Sequence, residues 1–222
     1  DYKNGNEFEI YKENKLPHIK ALSITSEKEF GLSILEFLIE ELEARAALFN
    51  EYHVKELGPY NKLVKEKLPR YLVIIDEFQE LLNAKMISPY VVSNYLEKIA
   101  RQGRSYGINM VLATQSLADV DISASTMEQI GLRIALSLSS ESACASILGI
   151  DNTAPMDLNK IGQAIYNDEK GQRKGNIEFQ VSYKSSETVK KTISELVKLH
   201  KEKSGVIRKF VRYVFDGKQK GL

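Results

Sequence analysis

The alternation of apolar and polar positions breaks sharply in RYLVIIDEFQELL, positions 70–82. An uncharged run, Tyr71 to Ile75, is followed at once by two carboxylates, Asp76 and Glu77. A short apolar run without polar alternation predicts a strand buried on both faces, as in a parallel sheet. Carboxylates placed directly after such a strand lie at the edge where open α/β sheets bind ligands.

Helical spacing of apolar residues predicts a long helix from Ser26 to about Tyr52, with Ser26 and Glu29 as its capping box. Further helices are predicted after Asp76-Glu77 and at about 88–103, 125–130, 140–148 and 186–203. Strands are predicted at 7–11, 20–24, 108–113 and 132–138, a hairpin at 163–166 and 177–183, a turn at 58–61 and a last extended stretch at 206–215. Because strands and helices alternate, the fold class is α/β with a mainly parallel sheet.

Polar residues also follow the next predicted strand, as Thr114 and Gln115. Each of these polar groups has an alternative explanation. Asp76 and Glu77 are also the residue types that favour the first turn of a helix, where negative charge complements the dipole. Gln115 is also an ordinary turn residue at a strand end. Adjacent residues on a strand point to opposite faces, so Asp76 and Glu77 are expected to have different roles.

Composition excludes several classes of protein. The net charge of +1 argues against a domain that is basic as a whole and binds nucleic acid through its overall charge. The single cysteine, Cys144, cannot form an internal disulfide, which favours a reducing, cytoplasmic location and a core position for this residue. The three histidines have no zinc spacing, and no apolar run approaches the length of a membrane span.

Two segments together resemble the FtsK/SpoIIIE family of ring-forming ATPases. YLVIIDEFQELL resembles the Walker B segment of that family, and GRSYGINMVLATQSL, positions 103–117, resembles the stretch that follows it. Asp1-Tyr2-Lys3, Leu16 to Ile19, the helix through Glu40 to Arg45 and LRIALSLSS at 132–140 resemble further family segments in the same order. The resemblance covers roughly positions 1–183.

This resemblance implies a RecA-like P-loop NTPase fold, with helices flanking the sheet, that uses ATP and Mg²⁺. In that family one Walker B carboxylate holds the water shell of Mg²⁺ and the next polarises the attacking water, which assigns these roles to Asp76 and Glu77. A polar residue on the neighbouring strand senses the γ-phosphate or orients water, and Gln115 matches it. Asp76 and Glu77 are therefore also expected to contribute to nucleotide binding.

The sequence departs from the family pattern because it contains no Walker A motif, a glycine, four residues and then Gly-Lys-Ser/Thr. We expect a chain cut after the P-loop, with the N-terminal P-loop strand and helix missing. Such a chain alone would not hydrolyse ATP, and part of its sheet would be uncovered. Residues 1–185 are then the later part of the ATPase domain. Residues 186–222 form a helix and a basic extended segment that lead to a following domain.

Ring ATPases need an arginine supplied by a neighbouring subunit to stabilise charge on the γ-phosphate. Arg133, Arg104 and Arg45 are the candidates, and Arg133 is favoured. A second basic residue that family members often carry is replaced by Ser137. Because Arg133 begins a predicted strand, it could equally be an ordinary charge at the strand edge.

The resemblance implies an ATP-driven translocase of double-stranded DNA, a homo-oligomeric ring and expected hexamer, that acts in chromosome segregation and cell division. Its ATPase domain would be cytoplasmic, with any membrane anchor outside these residues. One alternative is the ATPase of a type VII-like secretion system, which engages an exported protein. Another is a non-catalytic structural ring subunit. Positions 190–222 carry ten Lys or Arg and three acids, a basic excess that suits phosphates or a solvated linker.

Overall fold

The computed structural model describes residues 8–13, 16, 18–24, 28–83, 88–115, 117, 122–203 and 213–215. The predicted capping residue Ser26 and most of the predicted extended stretch at 206–215 lie outside these residues. The proposed division at residue 185 stays a prediction.

Eight α-helices, two short 3₁₀ helices (Ala154–Asp157 and Arg173–Gly175) and seven strands are found in the described part of the chain. The helices are α1 (Ile10–Glu13), α2 (Lys28–Glu51), α3 (Leu57–Leu63), α4 (Gln79–Leu82), α5 (Pro89–Tyr106), α6 (Ala124–Gln129), α7 (Glu141–Ile147) and α8 (Ser186–Lys203). The strands are β1 (Ala21–Ser23), β2 (Tyr71–Ile75), β3 (Ile108–Leu112), β4 (Arg133–Leu136), β5 (Gln163–Asn167), β6 (Asn176–Gln180) and β7 (Tyr213–Phe215).

The strands pair in three groups. β1 pairs with β7 and β2 with β3, both in parallel, whereas β4, β5 and β6 form an antiparallel sheet in that order. The predicted α/β class is therefore confirmed. The predicted hairpin is the β5–β6 pair, and it supplies the antiparallel part of a fold that the alternation of elements alone described as mainly parallel.

Two local predictions were wrong. Within the stretch predicted as a strand at 7–11, the described residues 8–11 form a turn and the start of α1, and Phe8 in the turn contacts Tyr11 in the helix edge to face. The predicted turn at 58–61 lies inside α3. Pro59 is compatible with this helix because the first turn of a helix needs no N–H donor from it. Burial of Tyr60 against Phe49, 5.1 Å between ring centroids, favours the helix over an exposed turn.

The main core lies between α2, α5 and one face of the β2–β3 pair. Long aliphatic residues recur on the inner face of each helix, and strand residues at alternate positions meet them. The buried members are Leu35, Leu38, Leu42, Ile75, Phe78, Leu81, Leu82, Val92, Leu96, Ile99 and Ile108. This packing fixes the strand pair, so the ends of β2 and β3 are held by a rigid layer of helices.

The opposite face of the β2–β3 pair is apolar but exposed. Leu72 is 64% exposed, Ile74 52% and Val111 46%. The prediction that β2 is buried on both faces was therefore wrong for the second face. Successive side chains point to opposite sides, and helices of the described residues cover one side. An exposed apolar face of this kind agrees with the expectation of an uncovered sheet surface, and it is typical of a packing surface.

Cys144 lies fully buried in α7, as predicted, and burial raises the pKa of its thiol, so it is an unreactive core residue. Among the helices of the described residues, none combines the length and the hydropathy that crossing a membrane requires.

Arg45 joins three elements beneath the sheet. Its side chain is 1% exposed, and its Nε donates a hydrogen bond to Glu41 Oε1 at 2.8 Å. Its Nη1 donates to the carbonyls of Pro69 at 2.8 Å, just before β2, and of Tyr106 at 2.7 Å, at the end of α5. The guanidinium also lies 4.9 Å from the ring centroid of Tyr71. Arg45 therefore sets the position at which the chain enters β2.

We predict that Arg45→Ala lowers the free energy of unfolding by about 3 kcal/mol, because it removes a buried guanidinium together with its hydrogen bonds to two carbonyls and its ion pair with Glu41. The matched control is Arg101→Ala on α5, whose exposed ion pair with Glu97 has N···O 3.7 Å and should change stability by less than about 1 kcal/mol. Urea unfolding of the purified chain measures both. Equal stability of the two variants would contradict the role given to Arg45.

Candidate functional site

The parallel register of β2 and β3 brings the predicted site residues together. Ile75 pairs with Leu112, so the residues after each strand leave the sheet at the same edge. Backbone hydrogen bonds continue beyond the strands: Ala113 N–H donates to Ile75 O at 2.9 Å and Phe78 N–H donates to Ala113 O at 3.2 Å. The turn that carries Asp76 and Glu77 is thereby fixed against the segment that carries Gln115.

Glu77 is the centre of this edge. Its side chain is 4% exposed, and its φ angle of 49° places a residue other than glycine in the left-handed region. Its Oε2 accepts a hydrogen bond from the Gln115 backbone N–H at 3.2 Å and another from Gln79 Nε2 at 2.6 Å. A backbone held in a sparsely populated conformation at a ligand-binding edge is characteristic of functional sites.

Asp76 and Glu77 have different surroundings, as their positions on adjacent residues predict. Asp76 is half-buried at the end of β2, whereas Glu77 is turned inward and hydrogen-bonded to the segment after β3. The side chain of Gln115 is exposed, and its backbone N–H donates a hydrogen bond to Glu77. The structure therefore brings Asp76, Glu77 and Gln115 to one edge.

The geometry does not suit a simple helix cap. α4 begins at Gln79, its N-cap position is Phe78, and no side-chain capping hydrogen bond forms there. The Glu77 carboxylate instead accepts hydrogen bonds from Gln79 and from the chain after β3. Among the described contacts, Glu77 is thus linked to the segment after the neighbouring strand, which the capping alternative does not require.

The arginine candidates lie in three different environments. Arg45 is buried beneath the sheet and engaged by carbonyls and Glu41, which leaves it unable to reach a neighbouring subunit. Arg104 is exposed near the end of α5. Arg133 is half-buried on β4, in the antiparallel sheet.

The guanidinium of Arg133 donates to four backbone carbonyls at the ends of two helices. Nη2 donates to Met127 O at 2.9 Å, Nε to Ile130 O at 3.2 Å, and Nη1 to Ile147 O at 3.1 Å and Leu148 O at 3.4 Å. Burial lowers the pKa of this guanidinium. The carboxyl ends of α6 and α7 carry partial negative charge, so Arg133 stabilises both. These contacts favour the structural alternative, and its action on a neighbouring subunit stays a prediction.

Sequence reasoning missed Gln79. Its position in the sequence, two residues after Glu77, was the feature that could have indicated it. At that position the amide is carried by the first residue of α4, within reach of the preceding turn. Its contact with Glu77 depends on the left-handed conformation of Glu77 and was not visible in the pattern of residues.

Comparison with known proteins agrees with this geometry. The family model described as FtsK/SpoIIIE matches residues 1–119, more than half of the chain. The DNA translocase SftA of Bacillus subtilis (strain 168) is 34% identical over 142 residues, which are 62% of this chain and 14% of that protein. The chain thus spans about a seventh of the length of this relative.

Solved structures share the fold. EssC (ATPases 2 and 3) from Geobacillus thermodenitrificans superposes with a TM-score of 0.72 at 23% identity, over 91% of this chain and 37% of that one. The pCW3 conjugation coupling protein TcpA, in its monomer form with ATPγS, gives a TM-score of 0.68 at 21% identity, over 81% of this chain and 57% of that one. At these low identities the two solved structures show the fold alone, and the matched family model shows the family. The chain belongs to the FtsK/SpoIIIE family.

Proposed function

We propose that this chain supplies the Walker B carboxylates and the sensor of an ATP-hydrolysing motor. In this proposal Asp76 holds Mg²⁺ through its water shell, Glu77 is the base that polarises the attacking water, and Gln115 responds to the γ-phosphate. The observation that carries the proposal is the hydrogen bond from the Gln115 N–H to Glu77 Oε2, because it couples the two strand ends that the family uses for hydrolysis.

The residues present suit magnesium. No group of three His, Cys, Asp or Glu side chains in the described residues could hold a metal on its own. Mg²⁺ needs no such group, since it is usually bound by one or two carboxylates together with waters and substrate phosphates. Asp76 offers one half-buried carboxylate at the ligand-binding edge, which fits this arrangement. Bound there, Mg²⁺ would neutralise charge on the phosphates of ATP.

For the substrate we propose double-stranded DNA, moved by a homo-oligomeric, hexameric ring on the cytoplasmic side. Membership of the FtsK/SpoIIIE family and the similarity to the DNA translocase SftA support this assignment. The second candidate is a type VII-like secretion ATPase, which the fold similarity to EssC over 91% of the chain favours. A non-catalytic structural ring subunit is the third candidate, and it gives no reason for a strained, buried Glu77.

Since these 222 residues hold no Walker A motif, the chain alone is proposed to be inactive.

We predict that Glu77→Gln in the full-length protein lowers ATP turnover by a factor of about 100 to 10,000, the usual contribution of a general base, and leaves nucleotide binding intact. The substitution keeps an oxygen acceptor for Gln79 and Gln115, so the turn should be preserved. Phosphate release and binding of a fluorescent ATP analogue measure the two effects.

The control for this variant is Glu80→Gln, three residues later, which removes a carboxylate that pairs with Lys28 at 3.4 Å on the surface. Its turnover should stay within about twofold of the original, because exposed ion pairs contribute little. Normal turnover in Glu77→Gln would remove Glu77 from the mechanism.

For Arg133 we predict that Arg133→Ala in the full-length protein abolishes ATP turnover and spares nucleotide binding if the arginine acts on a neighbour's γ-phosphate. The measurement that separates an action on the neighbouring subunit from a structural role is the ATP turnover of rings assembled from two kinds of mutant subunit. Arg133→Ala subunits mixed with Glu77→Gln subunits should recover turnover at those interfaces that combine an intact Arg133 with an intact Glu77. Loss of thermal stability with no recovery would assign Arg133 to the two helix ends alone.

To identify the substrate, we predict that duplex DNA of unrelated sequences stimulates ATP turnover of the full-length protein equally. The stimulation should weaken between about 50 mM and about 200 mM salt, because contacts to phosphates release counterions. A helical export-signal peptide serves as the comparison and should have no effect. Stimulation by the peptide and not by DNA would favour the secretion ATPase.

A further inference from the structure

The conformation of Glu77 needs to be held in place. A glutamate with φ near 49° adopts a backbone region that residues other than glycine seldom occupy, and such a conformation persists only where the surroundings determine it. The buried carboxylate must also be hydrogen-bonded, since an unpaired buried charge is unstable. The groups that donate to this carboxylate therefore decide where it lies.

Gln79 is one of these groups. It is the first residue of α4, and its Nε2 lies 2.6 Å from Glu77 Oε2. A carboxylate only accepts hydrogen bonds, so the amide nitrogen must be the atom that faces it. The Gln115 N–H donates to the same oxygen at 3.2 Å. Two donors from different segments thus converge on Oε2 and fix the orientation of the whole carboxylate.

The other end of the Gln79 amide is also informative. Gln79 Oε1 is buried and accepts no hydrogen bond within the described part of the chain. Buried acceptors without a protein donor are rare in proteins, and water or a bound ligand usually supplies the missing donor. Since the nitrogen donates to Glu77, the position of this amide is set by Glu77 and not by a second hydrogen bond among the described residues.

We propose that Gln79 is a positioning residue for Glu77, which orients the carboxylate toward the attacking water. The inference rests on the proposed function of Glu77. In the step it supports, the water oxygen bonds to the γ-phosphorus, the bond from that phosphorus to the leaving ADP oxygen breaks, and the water proton passes to the Glu77 carboxylate. Gln79 transfers no proton, and its Nε2 holds the carboxylate that acts as the base.

The test is Gln79→Met in the full-length protein, which keeps the length of the side chain and removes both polar atoms. We expect kcat to fall by at least about tenfold, as for other groups that orient a catalytic ligand, while KM and nucleotide affinity stay within about twofold. The matched control, Asn83→Ala, removes an exposed amide at the end of the same helix and should leave kcat unchanged. A normal kcat in Gln79→Met overturns the inference.

A double-mutant cycle separates positioning from mere support of the fold. If Gln79 acts through Glu77, adding Gln79→Met to Glu77→Gln should lower turnover no further, whereas two independent effects would multiply. Hydrogen exchange gives a readout apart from activity: the Gln115 amide should exchange faster in Gln79→Met, because the oxygen that accepts it is no longer fixed. Multiplying effects together with unchanged exchange would overturn the proposal.

Two further results keep this inference distinct from the proposed function. If Glu77→Gln itself has normal turnover, the function assigned to Glu77 fails. If Glu77→Gln is inactive and Gln79→Met is normal, only the role of Gln79 fails. If thermal melting shows that Gln79→Met folds poorly, Gln79→Glu replaces it. This variant keeps the shape of the side chain and puts a negative charge where the donor to Glu77 was. We expect it to lower kcat at least as much as Gln79→Met. Normal kcat in that variant would count against the inference equally.

Discussion

The parallel pairing of β2 with β3 is the constraint on which the rest of the structure depends. It places the residues after both strands at one edge, and the helices α2 and α5 hold the pair from one side. Without this register the Gln115 N–H could not reach Glu77, and two polar strand ends would be unrelated surface groups. The candidate site is thus a product of the sheet and not of any single segment.

Two arginines, one buried and one half-buried, show how cations organise this fold. Arg45 and Arg133 both donate to backbone carbonyls, the first where the chain enters β2 and the second at the ends of α6 and α7. Both sites satisfy acceptors that helix ends and irregular segments leave without partners. Sequence alone offers Arg133, Arg104 and Arg45 as candidates and favours Arg133. Only their contacts separate an arginine that is buried among backbone carbonyls from one that can reach a neighbouring subunit.

The apolar outer face of β2 and β3 connects the fold to the family resemblance. Leu72, Ile74 and Val111 are as apolar as the residues of the buried face, yet solvent covers much of them. A sequence this apolar on both faces is typical of a strand that is packed on both sides. The composition of β2 is therefore suited to an assembly larger than the described layer of two helices and two strands.

The sequence by itself determined the α/β class, the long helix α2, the β5–β6 hairpin and the positions of Asp76, Glu77 and Gln115, because apolar periodicity and polar strand ends are local signals. It misassigned α1 and α3, because helices of four and seven residues are too short to show a helical repeat of apolar positions. It also missed Gln79, because a left-handed glutamate cannot be read from residue types. Only the tertiary structure decided which face of β2 is covered, which arginines are buried and which donors reach Glu77. These three features depend on contacts between segments that lie far apart in the chain. A local pattern of residues carries no information on the energies of such contacts.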